Sequence, residues 1–232
     1  MKKEVFVLPK EKMMNIKKTT LIFLFLLVFV IFQGLEASIC LNDFDKVFPS
    51  TESADGSNYS LKNSMIDASA IFLQSFASAN MMLGEGELAD KGFFNVDNSL
   101  SFTNETIQRL ELARYKYNEA YKTAKTLNYV NARIDQLKRF DYTKFAENSK
   151  LNPAIMNSVS GYLSSGDVTG LYKKNIDNID SILIVLNAMK AKLEAGTQPD
   201  IAEYWDLLRK YSENLLFGNY ATSAAREAFG AE

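Results

Sequence analysis

Carboxylates are the strong acid–base groups this chain can bring to a reaction, because its 232 residues contain no histidine and a single cysteine, Cys40. Asp177 and Asp180 stand three apart, a spacing that places both on one face of a helix, and Glu111 could meet residues of a facing helix. A di-iron site in a helical bundle needs paired Glu-x-x-His motifs, which require histidine. Zinc sites built on nitrogen and sulfur, His-ligated haem, Cys-x-x-Cys-His haem attachment, and Ser-His-Asp or Cys-His catalysis are excluded on the same ground. The carboxylates are therefore expected to form a solvated acidic face, with no catalytic residue, metal site or cofactor.

Glu52-Ser53 resembles the Glu-Ser pair of the lytic transglycosylases, exported helical enzymes that cleave glycans with a single glutamate. The match spans two residues in a Ser/Asp/Gly-rich stretch, and the Gly/Met/Gln segment that should follow is absent. A catalytic acid with a raised pKa also needs an apolar pocket, which such a stretch does not supply. A carboxylate-only glycan-cleaving enzyme is accordingly the third functional reading.

Aromatic residues offer binding chemistry instead. Tyr115, Tyr117, Tyr121 and Tyr129, with Trp205, Tyr211 and Tyr220, could line a pocket for an apolar ligand between helices. Packing in a core with the hydroxyls reaching polar partners is the expected alternative. Phe93, Phe94 and Phe102 lie in an irregular stretch at 84–103 that either packs back on the domain or presents aromatics to a partner. Packing back is expected, since exposed aromatic clusters are uncommon on monomers.

Residues 1–37 read as an export signal. Leu21 to Phe32 is an unbroken apolar run of twelve residues, preceded by Lys17-Lys18 and followed by Gly34, Ala37 and Ser38. That length suits a signal-peptide core and falls short of the ~20 residues that span a bilayer. Cleavage after Ala37 leaves Leu35 at the −3 position, where a smaller residue fits better, so an uncleaved anchor is the alternative. Cys40 is a candidate lipidation site, although Ile39 and Ala37 stand where bacterial lipoprotein signals prefer a small residue and leucine. With one cysteine no intrachain disulfide forms, so the core alone must stabilise the domain outside the cytoplasm.

The six lysines and three glutamates of residues 1–37 leave 20 basic and 25 acidic residues, a net charge of −5, on the remainder. Such a surface offers no field for counterion release from nucleic acid. Four prolines and eleven glycines are too few for a turn-dense β-sandwich, and plentiful Ala, Leu, Lys and Glu favour helices.

Residues 38–60, with Pro49 and Gly56, read as a tether. Leu61, Met65, Ala68, Phe72, Phe76 and Ala79 predict a first helix over 61–83, ended by Gly84 and Gly86. A second helix is predicted from Thr103 or Asn104 to about Phe140 along Leu110, Ala113, Tyr117, Ala120, Ala124, Leu127, Val130, Ile134 and Leu137, with Asn128 and Asn131 marking a place where it could break. A short helix fits Asp141 to Lys150, and Asn152-Pro153 opens another that Gly166 closes. Asp167 caps a helix with the stripe Val168, Tyr172, Ile176, Ile179, Leu183, Leu186, Met189 and Leu193, closed by Gly196. Pro199-Asp200 opens the last, along Ile201, Trp205, Leu208, Tyr211, Leu215 and Phe229, with Gly218 permitting a close approach or a bend.

The expected fold is all-α: an antiparallel bundle of four long helices plus one or two short ones, forming a single domain over 61–232. The expected function is that of a non-enzymatic, extracytoplasmic interaction or binding module in the cell envelope or extracellular space. Its partner would be a protein or envelope component, met through the acidic surface or the 84–103 loop, with membrane contact only through the N-terminal segment or Cys40. A bundle-type carrier of an apolar small ligand is the alternative.

Overall fold

A computed structural model describes residues 57–93, 95–127 and 131–230 of the chain. These residues form helices α1 (Ser57–Asp90), α2 (Val96–Ala124), α3 (Asn131–Arg139), α4 (Tyr142–Asn148), α5 (Pro153–Ser165), α6 (Val168–Glu194) and α7 (Ile201–Phe229), with no strand among them. The leader, residues 38–56 of the 38–60 tether, Cys40 and Glu52 lie outside the described residues, and residues 57–60 belong to α1.

Seams of buried positions on α1, α2 and α6 repeat with alternating steps of three and four. On α2 they are Ser99, Thr103, Thr106, Leu110, Ala113, Tyr117, Ala120 and Ala124. The same steps run along α1 through Leu61, Met65, Ala68, Phe72, Ser75, Ala79 and Met82, and along α6 through Val168, Tyr172, Asn175, Ile179, Ile182, Leu186, Met189 and Leu193. A seven-residue repeat held over several turns keeps one seam of each helix on its neighbours, as in a left-handed coiled-coil bundle. Leu110, Ile179, Ile182 and Leu186 are fully buried, and such burial stabilises by ~1.5–3 kcal/mol per side chain.

Adjacent long helices run antiparallel. Lys116 pairs with Asp67 across α2 and α1 while Thr106 reaches Met82 further along, so the two helices pass in opposite directions. Asn178 meets Asn214 and Lys192 meets Glu203 across α6 and α7. Arg114 of α2 bonds Asp180 of α6, and α7 packs on α1 with Tyr204 against Gly86 and Tyr211 against Ser75. Contacts α1–α2, α2–α6, α6–α7 and α7–α1 thus close a four-helix ring, and α3, α4 and α5 form the crossover between α2 and α6, with α5 against α6 and α7.

Local chemistry explains most of the boundaries. Asn152 caps α5 by accepting from the Ala154 amide at 3.0 Å, with Pro153 in the first turn, and Gly166 closes it at φ +76°. Asp200 opens α7 with a full capping box, its own amide donating to Glu203.

Four boundaries, the start and end of α1 and of α2, depart from the sequence expectation. Helix α1 starts at Ser57 and passes through Gly84 and Gly86 to Asp90, because Gly86 gives the Tyr204 ring room to approach the backbone. Helix α2 begins at Val96, capped by Asn95, so of the 84–103 stretch only residues 91–95 lie between the two helices, with a turn at 91–93 and Phe94 outside the described residues. The helix predicted to Phe140 ends at Ala124 and α3 starts anew at Asn131, which makes the short helices three. On α6 the seam follows Asn175 and Ile182, while Leu183 is half-buried. Gly218 is not a point of close approach, since an added Cβ there meets nothing within 4 Å, and α7 continues through it.

Candidate functional site

The turn between α1 and α2 is built by the end of α1. Gly92, at φ +86°, donates to the Ala89 carbonyl at 2.8 Å, and the Phe93 amide donates to that of Leu88 at 3.0 Å. The Leu88 and Ala89 carbonyls at the helix end are thereby satisfied. Phe93 does not pack back: its exposure is 70 %. Leu88 is also exposed, and the Gln198 amide donates to Asp90 across the same end of the bundle. Phe102 lies apart from this turn, half-buried on α2, and Phe94 is outside the described residues.

The carboxylates singled out by spacing are surface groups. Asp177 pairs with Lys173 one turn away on α6, and Asp180 with Arg114, whose guanidinium is pushed up by that bond. Glu111 is exposed on α2. Among the described residues no group of three or more His, Cys, Asp or Glu side chains is placed to hold a metal ion.

The aromatic residues divide. Tyr117 and Tyr211 are buried in the bundle, Tyr121 and Tyr220 are half-buried, and Tyr115 and Trp205 are exposed, so Trp205 is not on the buried stripe of α7. Tyr129 is outside the described residues. The Ser69 hydroxyl donates to the Met65 carbonyl at 2.7 Å and stands 3.3 Å from the Tyr117 hydroxyl. The Ser75 hydroxyl bonds Tyr211 and faces the Thr106 carbonyl, linking α1, α2 and α7, and the Tyr211 ring also stacks on Phe76. Burial pushes the Tyr117 hydroxyl up to about 12, against the weaker opposing effect of its bond to Ser69, and pushes Tyr211 up as well. Two cavities of 20 Å³ lie beside Gly218 in this part of the core, sharing Asn175 as a wall. Each has room for about one water, far below the ~300–1,000 Å³ of ligand pockets.

Larger clefts open on the short-helix side. One of 310 Å³ runs between α4 and α5, along Tyr142, Lys150, Leu151 and Met156. Another, of 270 Å³, lies among α5, α6 and α7, with Lys174, Asn178, Ser181, Lys210 and Asn214 on its walls and Phe217 at its base. The Asn178 amide donates to Asn214 across it at 3.0 Å. These polar residues carry one sequence signal: Lys174 and Asn178, like Lys210 and Asn214, are four apart on one helix. Lysine and asparagine on amphipathic helices ordinarily mark solvated faces, so only the packing of α5 against α6 and α7 gathers them.

No family model, curated protein or solved structure matches this chain.

Proposed function

We propose that this chain is an exported, non-enzymatic binding module that engages a protein or envelope component through the turn at 91–95. The carrying observation is Phe93, a large aromatic side chain exposed to solvent between the end of α1 and the start of α2. An exposed aromatic on a short, hydrogen-bonded turn loses little conformational freedom on binding, and aromatic residues commonly anchor interfaces. At ~1.5 Å per residue the 34-residue α1 is about 50 Å long, so attachment through residues that precede it leaves this turn at the far end of the helix. The −5 charge after Ala37 disfavours nucleic acid as the partner.

A carrier holding its ligand between the long helices is the weaker reading, because the 20 Å³ cavities described there hold no apolar ligand of ordinary size. The glycan-cleaving reading rests on Glu52, outside the described residues, and the carboxylates discussed above stand on open surface.

A photo-crosslinking residue placed at position 93 of the full chain, in its native envelope, tests the proposal. A discrete adduct from position 93, absent when the same residue replaces exposed Lys125, is expected. Identical background from both positions would sink the assignment of the turn.

A further inference from the structure

We infer that the 270 Å³ cleft among α5, α6 and α7 is a binding site for a small hydroxylated anion, a monosaccharide-sized unit bearing a phosphate or carboxylate. The cleft brings together Lys174 of α6 and Lys210 of α7, both half-buried and neither in an ion pair among the described residues. Five other lysines, Lys116, Lys122, Lys173, Lys190 and Lys192, each pair with a carboxylate, and what sets Lys174 and Lys210 apart from the lysines outside ion pairs is that they share one cleft. Glu213 is the one acid on the wall, and its carboxylate accepts from Arg209 on the outer side of α7. The local charge is therefore positive on a domain whose net charge is negative.

Between the lysines lies the Asn178–Asn214 pair. That bond uses one amide hydrogen of Asn178 and leaves the Asn178 carbonyl oxygen and the Asn214 amide group, with the Ser158 and Ser181 hydroxyls, as cleft-lining donors and acceptors. Of these the Ser181 hydroxyl donates to the Asn178 backbone carbonyl and retains acceptor capacity. Ammonium groups suit an oxyanion as point charges, and mixed donors and acceptors suit sugar hydroxyls. Phe217 supplies an apolar base for the ring face. The volume lies just below the ~300 Å³ from which drug-sized ligand sites begin, which fits one sugar unit.

The site is independent of the 91–95 turn. The test is calorimetric titration of the mature chain with glucose 6-phosphate, glucuronate and uncharged glucose at constant ionic strength. Saturable binding of one or both anions is expected, at least about tenfold tighter than glucose, and which anion binds distinguishes a phosphate source from a carboxylate one. Lys174→Gln and Lys210→Gln should each weaken binding about tenfold, with unchanged unfolding midpoints, while Lys125→Gln, exposed after α2 and not on the cleft wall, should not. Absence of saturable binding by both anions, equal binding of glucose, or unaltered affinity in both cleft variants would overturn the assignment.

Discussion

A Cβ built on Gly86 stands 2.7 Å from Cε2 of Tyr204, whereas one built on Gly84 meets nothing within 4 Å. Two glycines in the same helix therefore have opposite roles. Gly86 sets how closely α7 approaches α1, and Gly84 only lowers helix propensity. Gly86→Ala should destabilise by about 1–3 kcal/mol through overpacking against a buried ring, while Gly84→Ala and Gly218→Ala should stabilise by up to ~1 kcal/mol each. Urea unfolding of the three variants measures this; a stabilised Gly86→Ala would show that the two helices are not held at this distance.

The rung joining Ser75, Tyr211 and the Thr106 carbonyl predicts non-additive mutations. Tyr211→Phe should cost about 1 kcal/mol, and Ser75→Ala about 1–3 kcal/mol, since it leaves a buried hydroxyl without its partner. The double variant should cost at least ~0.5 kcal/mol less than the two singles together. Additive losses in a double-mutant cycle would mean the two hydroxyls do not bond in solution.

Alkaline pH should unfold the domain. Burial pushes the hydroxyls of Tyr117 and Tyr204 up to about 12, from an ordinary value of 10.0. Below pH 10 both the folded and unfolded chains keep these protons, and stability is unaffected. Between about 10 and 12 only the unfolded chain releases them, so it holds fewer protons and stability falls by ~1.4 kcal/mol per pH unit for each such tyrosine. Tyr117→Phe should make the decline shallower in unfolding curves recorded across this range; an unchanged slope would remove Tyr117 as a cause.

Exposure of Phe93 predicts that Phe93→Ser leaves folding stability within ~0.5 kcal/mol of the parent while abolishing capture of the partner. A large loss of stability, read from the thermal midpoint, would instead place Phe93 in a packed contact.

Helix caps were the most legible features of the sequence. Asn152-Pro153, Gly166, Asp167, Gly196 and Asp200 each mark a boundary close to where the chain turns, because capping chemistry is local. The start of α2 was hidden because its first buried positions are Ser99, Thr103 and Thr106, small polar residues that do not read as core. They continue the three-and-four steps into Leu110, and Asn95 followed by Asp97 was the available signal for the cap. On α6 polar Asn175 does not read as core although it is buried, and the expected stripe took Leu183 in place of its equally apolar, buried neighbour Ile182. The lysines of the cleft were not legible at all as a site, since they converge only through contacts between helices distant in sequence.

The most direct test of an exported binding module is the mass of the protein taken from its native envelope, measured first without denaturation and then under denaturing conditions. The prediction is a processed chain beginning near Ser38, or at a lipid-bearing Cys40, from which no apolar small molecule dissociates. An unprocessed 26.1 kDa chain recovered from the cytoplasm, or a stoichiometric apolar ligand released on denaturation, would contradict it.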